Sequence, residues 1–316
     1  MKVDTASQGY NPNFLLDNCS GNEAVPLPTL DAGQLLDLLV VQDKDNGILD
    51  YMNYSVAMSK SHKLAFFSAS NIDGLNFQNA PRKDRWRKDV RVGKYQWGME
   101  FYGDKEAKFD RGHMTKREDV QWGTTQHVAM LAAESTFYYP NAVPQHKDLN
   151  RSLWKRLENY ILNSETKKNS LRICVFSGPV LAERNPYFIK AIKGQSVQIP
   201  VLFWKVIVYP KSDGTLHRVG FIMSQNSLLI ANGLIEELEI ATDDDDLFLR
   251  FDSADTYQVN IQLIESMTGL TFPKAIDAYR DHRDTKLILK EVDIDPDLES
   301  SSLEQELGYS IENILL

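Results

Sequence analysis

The sequence predicts an α+β protein built on a largely antiparallel β-sheet, and three observations carry that expectation. Apolar or small-residue runs of strand length recur at 54–58, 64–72, 171–176, 201–209 and 218–223, the composition that a pleated, buried surface favours. The polar stretch 59–63 joins the first two as a hairpin, and Lys211-Ser212-Asp213-Gly214 makes a turn between the last two, so neighbouring strands run antiparallel. In 149–162 the apolar residues Leu149, Leu153, Trp154, Leu157, Tyr160 and Ile161 follow helical spacing and leave one buried stripe.

Taken in order, residues 1–30 lack periodicity and end in Val25-Pro26-Leu27-Pro28, which reads as an N-terminal extended arm laid over the body. Regular structure begins near Leu30 with a helix over 32–41, and a further helix is expected over 259–266. Residues 31–290 form one domain. From Glu291 to Glu312 the chain has eight carboxylates and no Lys or Arg, so 291–316 is expected to be a solvated, poorly ordered acidic C-terminal tail. The run Asp243-Asp244-Asp245-Asp246 lacks the alternating ligands and glycine of a calcium loop and reads as a solvated turn.

At 316 residues and 42% hydrophobic content the chain can bury a sizeable core. It shows no signal-peptide pattern and no apolar run of about 18 residues, so the expectation is a soluble, cytoplasmic protein with no membrane partner. Two cysteines, Cys19 and Cys174, provide no disulfide framework and too few ligands for structural zinc. The formal charge of −9 opposes a polyanionic partner, yet residues 82–94 set seven cations against two carboxylates. With Trp86 interleaved among Arg85, Arg87 and Lys88, this run reads as a patch that tracks a nucleic-acid backbone.

Chemistry concentrates in Asp110-Arg111-Gly112-His113. His62, His127, His146, His217 and His282 lack any such setting, whereas His113 follows a carboxylate, a fork of phosphate-binding donors and a residue without a Cβ. Asn150 reads as the N-cap of its helix or as a ligand, because Asn150, Trp154 and Glu158 fall along one helix edge, the outer two separated by about 12 Å of rise. A neutral amide oxygen and a carboxylate with intervening waters suit Mg²⁺, which prefers oxygen and keeps much of its hydration. Base, cation and metal donors together make the equipment for metal-assisted phosphodiester cleavage.

These residues resemble the DNA/RNA non-specific endonuclease family, the ββα-metal or His-Me finger nucleases of the endonuclease G type. The resemblance rests on Asp110-Arg111-Gly112-His113, Asn141 with Pro144-Gln145, and Asn150, Trp154, Leu157 and Glu158, with weaker similarity from Asn71-Ile72-Asp73-Gly74 to Glu265-Ser266-Met267-Thr268-Gly269-Leu270. It implies a mixed sheet core with a ββα-metal finger on one face, residues 31–290 being the endonuclease domain. It implies that His113 is the general base, Asn150 the direct Mg²⁺ ligand (Mn²⁺ being the alternative ion), and Glu158 a holder of metal-bound water. Arg111 and Arg85 would contact phosphate, and Asp110 and Asn141 would support the site. DNA and RNA are the implied substrates, cut to leave 5′-phosphates, and a homodimer and an inhibitor or activating partner are further expectations.

Where many members have an arginine, four residues after the glutamate, this sequence has Leu162. A chain without a signal also needs restraint in its own cytoplasm, as an antiviral effector held until triggered would. Two other readings stay open at this stage: a catalytically silent module that only binds nucleic acid, and an enzyme acting on a small phosphodiester.

Overall fold

The computed structural model describes residues 9–18, 24–41, 46–104, 109–150, 153–161, 171–236, 250–253, 255–291 and 309–316. In chain order its elements are α1 (Ala32–Asp37), β1 (Ile48–Tyr51), β2 (Tyr54–Met58), β3 (Ala65–Asp73), α2 (Met99–Tyr102), β4 (Phe109–His113), α3 (Gln126–Ser135), β5 (Ala142–His146), α4 (Lys147–Asn150) and α5 (Leu153–Tyr160). There follow β6 (Arg172–Pro179), β7 (Leu202–Pro210), β8 (Leu216–Ser224), α6 (Asn226–Ala231), β9 (Thr256–Val259), α7 (Ile261–Thr268), β10 (Ile276–Asp277), β11 (Thr285–Lys286), β12 (Leu289–Glu291) and β13 (Tyr309–Ile311).

The main sheet runs β1-β2-β3-β6-β7-β8-β9-β11. Neighbours along that path are antiparallel, and β10 joins β8 in parallel. The fold is therefore α+β on a mixed, largely antiparallel sheet, as the sequence predicts. Every residue of β2 and of β3 is buried, because the sheet is covered on both faces. Along β2, Tyr54, Val56 and Met58 enter one apolar cluster with Leu49 and Val120, while Ala57 enters the larger one with Phe176, Trp204 and Phe221. Strands covered on both sides read as continuous apolar runs, which is why these segments stand out in the sequence.

The helix expected over 149–162 is present as α4 and α5, with 151–152 outside the described residues. The expected helix over 32–41 ends at Asp37, after which Leu38 turns to extended backbone and bridges Ser59. The helix expected over 259–266 is α7, started by the Asn260 side chain accepting from Leu263 N and ended by Gly269 in left-handed conformation at φ 71°. Tyr10, Phe14, Leu15 and Val25 of the arm lie in the main core, and Thr29 pairs with Thr271.

The expectation of a solvated tail fails at its last residues. β13 pairs with β12, and Tyr309 and Ile311 are buried, because these apolar side chains anchor a segment that the preceding carboxylates alone would leave in water. Cys19, Leu162 and Asp243 to Asp246 lie outside the described residues. Cys174 is a buried free thiol. Among the described residues, no helix is long and apolar enough to cross a membrane.

Candidate active site

The site is built on the two-stranded pairing of β4 with β5. Its register sets Asp110 opposite Gln145, Arg111 opposite Pro144, Gly112 opposite Val143 and His113 opposite Ala142, and α4 starts at Lys147, the residue after β5. Two strands and the helix that follows form the expected ββα unit. Gly112 is required by a close approach: a Cβ there would lie 2.2 Å from Gln145 Oε1 and 2.3 Å from its Cδ. Gln225, fully buried, accepts from His146 N (2.8 Å) and donates to Pro144 O (3.1 Å) and Pro200 O (2.7 Å). It thereby satisfies backbone groups of β5 that would otherwise be stranded.

After His113 the chain is stitched to its surroundings. Thr115 exchanges hydrogen bonds with the Asn141 amide, and Asn141 Nδ2 also donates to Thr136 O (3.1 Å). From the main sheet, Ser177 Oγ donates to Met114 O (2.8 Å), and the Ser68 and Thr115 hydroxyls lie 2.6 Å apart. His113 is thus held from both sides.

The imidazole sits in an aromatic wall, 4.6 Å from the Trp86 ring and 5.0 Å, edge-on, from Phe137. Trp86 stacks in turn on Tyr139 at 5.7 Å, and the Arg111 guanidinium lies 5.7 Å above Trp86. His113 as a residue is half-buried, but its Nε2 is shut from solvent and has no hydrogen-bond partner. Burial pushes the imidazole down to about 4; the field of Glu118 and Glu158 acts against that, and Arg82 acts with it. An interior nitrogen without a partner costs free energy.

Glu158 on α5 is mostly buried, and its Oε1 accepts from Lys205 Nζ at 2.8 Å. Asp119 and Lys116 lie in the same electrostatic neighbourhood. Burial lifts Asp119 to about 6, opposed by Lys205 and Lys116, while Lys116 Nζ donates to Asn159 at 2.5 Å. His113 and Arg111 thus lie on β4, and the field of Glu158, on α5, reaches the His113 imidazole.

Residues 36–278 match the family described as DNA/RNA non-specific endonuclease. The chain belongs to that family. It is 33% identical over 230 residues to uncharacterized protein y4fB of Sinorhizobium fredii, covering 69% of this chain and 32% of that protein. It is 26% identical over 231 residues to a nuclease of Nostoc sp., covering 72% and 73% respectively. Mitochondrial endonuclease G of Homo sapiens is 26% identical over 121 residues, covering 36% of this chain and 38% of that enzyme. Of the first and third of these relatives, the chain spans only about a third of the length.

For this family member the basic run is only partly a free surface. Arg82 pairs with Asp84, Lys83 with Glu134, Lys88 with Glu100 and Arg91 with Asp89. The Arg87 guanidinium lies 4.1 Å above the Tyr138 ring and donates to Glu134 O. Arg87 is engaged in holding α3, and Trp86 walls His113. Arg85 is exposed and has no ion-pair partner among the described residues. Arg117, which the sequence reading passed over, fixes the start of the run by donating to Ala80 O and Pro81 O, both at 2.9 Å.

Asp110 is half-buried on β4, and Asn141, fully buried, is committed to backbone partners. Asn150 ends α4, and its side chain lies outside the described residues. Among the described residues no three His, Cys, Asp or Glu side chains could jointly hold a metal ion. One anchored carboxylate beside an asparagine-bearing helix fits an ion that retains most of its water. Sequence reasoning missed Lys205, Glu118 and Asp119. The signal for Lys205 was available: a lysine inside the apolar run 201–209 needs a buried partner.

Proposed function

We propose that this protein is a Mg²⁺-dependent endonuclease that hydrolyses phosphodiester bonds of DNA and RNA, with His113 as general base. One observation carries the reading: an imidazole held neutral by burial, beside Arg111 and within the field of Glu158. A neutral imidazole can accept a proton, and a water against the ring nitrogen other than the enclosed Nε2 would pass its proton while its oxygen attacks phosphorus.

Arg111 is poised to offset charge on the phosphate oxygens, and Arg85 to hold the strand alongside. Asn150 and Glu158 are the residues that would hold Mg²⁺ or Mn²⁺, Glu158 through water. When bound, the ion supplies Lewis-acid stabilisation of charge on phosphate oxygens. Burial alone makes His113 a weak base, but an arriving anionic phosphate raises its proton affinity again, toward the range where a base works best.

The deciding experiment gives the purified protein plasmid and total RNA with Mg²⁺, with Mn²⁺ and with chelator, alongside His113→Ala. Cleavage that needs the ion and falls at least about 100-fold in the variant is expected, since general-base catalysis supplies roughly 10²- to 10⁴-fold. Equal digestion by the variant refutes the assignment, and a shifted but uncut band marks a binding module instead. Turnover confined to small phosphodiesters would redirect the substrate class.

A further inference from the structure

Across the middle of the main sheet, three polar residues lie in one row. Ser68 of β3 pairs with Ser177 of β6, which pairs with Lys205 of β7. Directly paired residues share a face, and all three are buried. Each touches a different point of the candidate site. Ser68 meets Thr115 and Ser177 meets Met114 O, just after His113, while Lys205 meets Glu158 on α5.

The two serines are inexpensive to bury, since a hydroxyl needs one or two partners. An ammonium is different. With 3% of its side chain exposed, Lys205 gives up its hydration in a strand whose neighbours are Trp204 and Val206, a position where an aliphatic residue would serve stability better. That burial also keeps it from reaching a substrate. Its charge bears directly on the Glu158 carboxylate it holds and, through the field, on Asp119.

Resting on the role of Glu158 given above, we propose that Lys205 is the positioning residue for that carboxylate. By engaging Oε1 it fixes the direction of Oε2, which is left as the acceptor toward the hydrated ion. α5 is tied down at adjacent points by Lys116 on Asn159 and by Tyr309, whose hydroxyl donates to Arg156 O at 2.9 Å, so the helix has little freedom to compensate. Two opposed effects of losing Lys205 can be weighed. Removing a cation favours a metal ion electrostatically, whereas freeing the carboxylate loses its aim. Partners that orient a metal's ligands are typically worth about 10- to 100-fold in affinity or activity, and the short, buried contact makes orientation the larger effect here.

The test measures Mn²⁺ binding by electron paramagnetic resonance on the full chain, with circular dichroism as a fold control, for wild type, Lys205→Met, Lys205→Arg, Glu158→Gln and the Lys205→Met/Glu158→Gln pair. Lys205→Met should weaken Mn²⁺ binding at least about tenfold, and Lys205→Arg should restore most of it. In the Glu158→Gln background, Lys205→Met should change Mn²⁺ binding no further, because the effect of the lysine on the ion runs through that carboxylate. If Lys205→Met alone does not fold, the pair, in which neither charge is left unmatched, is compared with Glu158→Gln.

Binding by Lys205→Met as tight as wild type or tighter overturns the proposal, as does an equal loss in the Glu158→Gln background. If wild type cuts with Mn²⁺ while Lys205→Met binds normally, only the role of Lys205 falls. If wild type neither binds Mn²⁺ nor cuts, the functional reading falls with it.

Discussion

Asn141 and Thr115 are joined through both ends of one amide: Thr115 N donates to Asn141 Oδ1 and Asn141 Nδ2 donates to Thr115 O, each at 2.8 Å. The side chain imitates the edge of a β-strand, and it does so in the interior, where water cannot substitute. The chain leaving His113 thereby takes a single course.

Asn141→Ala leaves the Thr115 N–H and two carbonyls, of Thr115 and Thr136, without these partners. At roughly 1–3 kcal/mol per stranded buried group, a loss of about 3 kcal/mol is expected. Asn141→Asp should be no better, because it keeps the acceptor but turns carboxylate oxygen toward the two carbonyls. Urea unfolding checks both, and midpoints matching wild type would refute the account.

Gly112→Ala drives a methyl into Gln145, which is buried and cannot swing away. The variant should lose about 1–3 kcal/mol, the usual cost of overpacking, together with nuclease activity. Adding Gln145→Ala removes the clashing atoms, so the double variant should regain stability relative to Gly112→Ala. Additive losses would mean that Gly112 serves another purpose.

Because burial holds His113 down to about 4, its neutral form persists well below the ordinary histidine range. The acid limb of kcat/KM, which reports the free enzyme, should therefore lie near pH 4–5, below the 6.5 of a free imidazole, and that of kcat at higher pH once phosphate is bound. Stability has a linked signature. With the folded value below the unfolded one, the unfolded chain takes up the proton first, so stability falls as pH drops from about 6.5 toward 4. His113→Asn should lose that part of the acid sensitivity, and unfolding midpoints at pH 7 and pH 5 read it directly.

Arg85 and Arg87 should separate cleanly. Arg85→Ala is expected to raise KM several-fold, reduce the salt slope of nucleic-acid binding by about one unit and leave Tm unchanged. Arg87→Ala should instead lower Tm, through loss of its Tyr138 and Glu134 contacts. A pattern in which Arg87 moves KM alone would restore both to the substrate surface.

The central strands were legible because residues buried on two faces are mostly apolar or small, and β2 begins and ends where its run does, at Tyr54 and Met58. β4 and β5 were not legible as strands. Asp110, Arg111 and Gly112 are poor strand formers, and Pro144 lacks a ladder donor; their pairing is enforced by Asn141, Gln225 and the sheet beneath. α3 was missed because Ala129, Ala132 and Ala133 give a weak periodic signal. The tail was misread because its carboxylates outnumber Tyr309 and Ile311, although it is those two that dock.

By itself the sequence determined the sheet, through side-chain type and short-range spacing, and it carried the motifs by which the chain resembles its family and the residues proposed for the chemistry. Only the tertiary structure decided which of those residues are free to act. It buried His113 Nε2, engaged Arg87 and Trp86 with neighbours and left Arg85 exposed. It also brought Lys205 to Glu158 from 47 residues away. The reason is physical: charge and desolvation depend on what packs against a group, and that is set by strand register and long-range contact that local sequence does not encode.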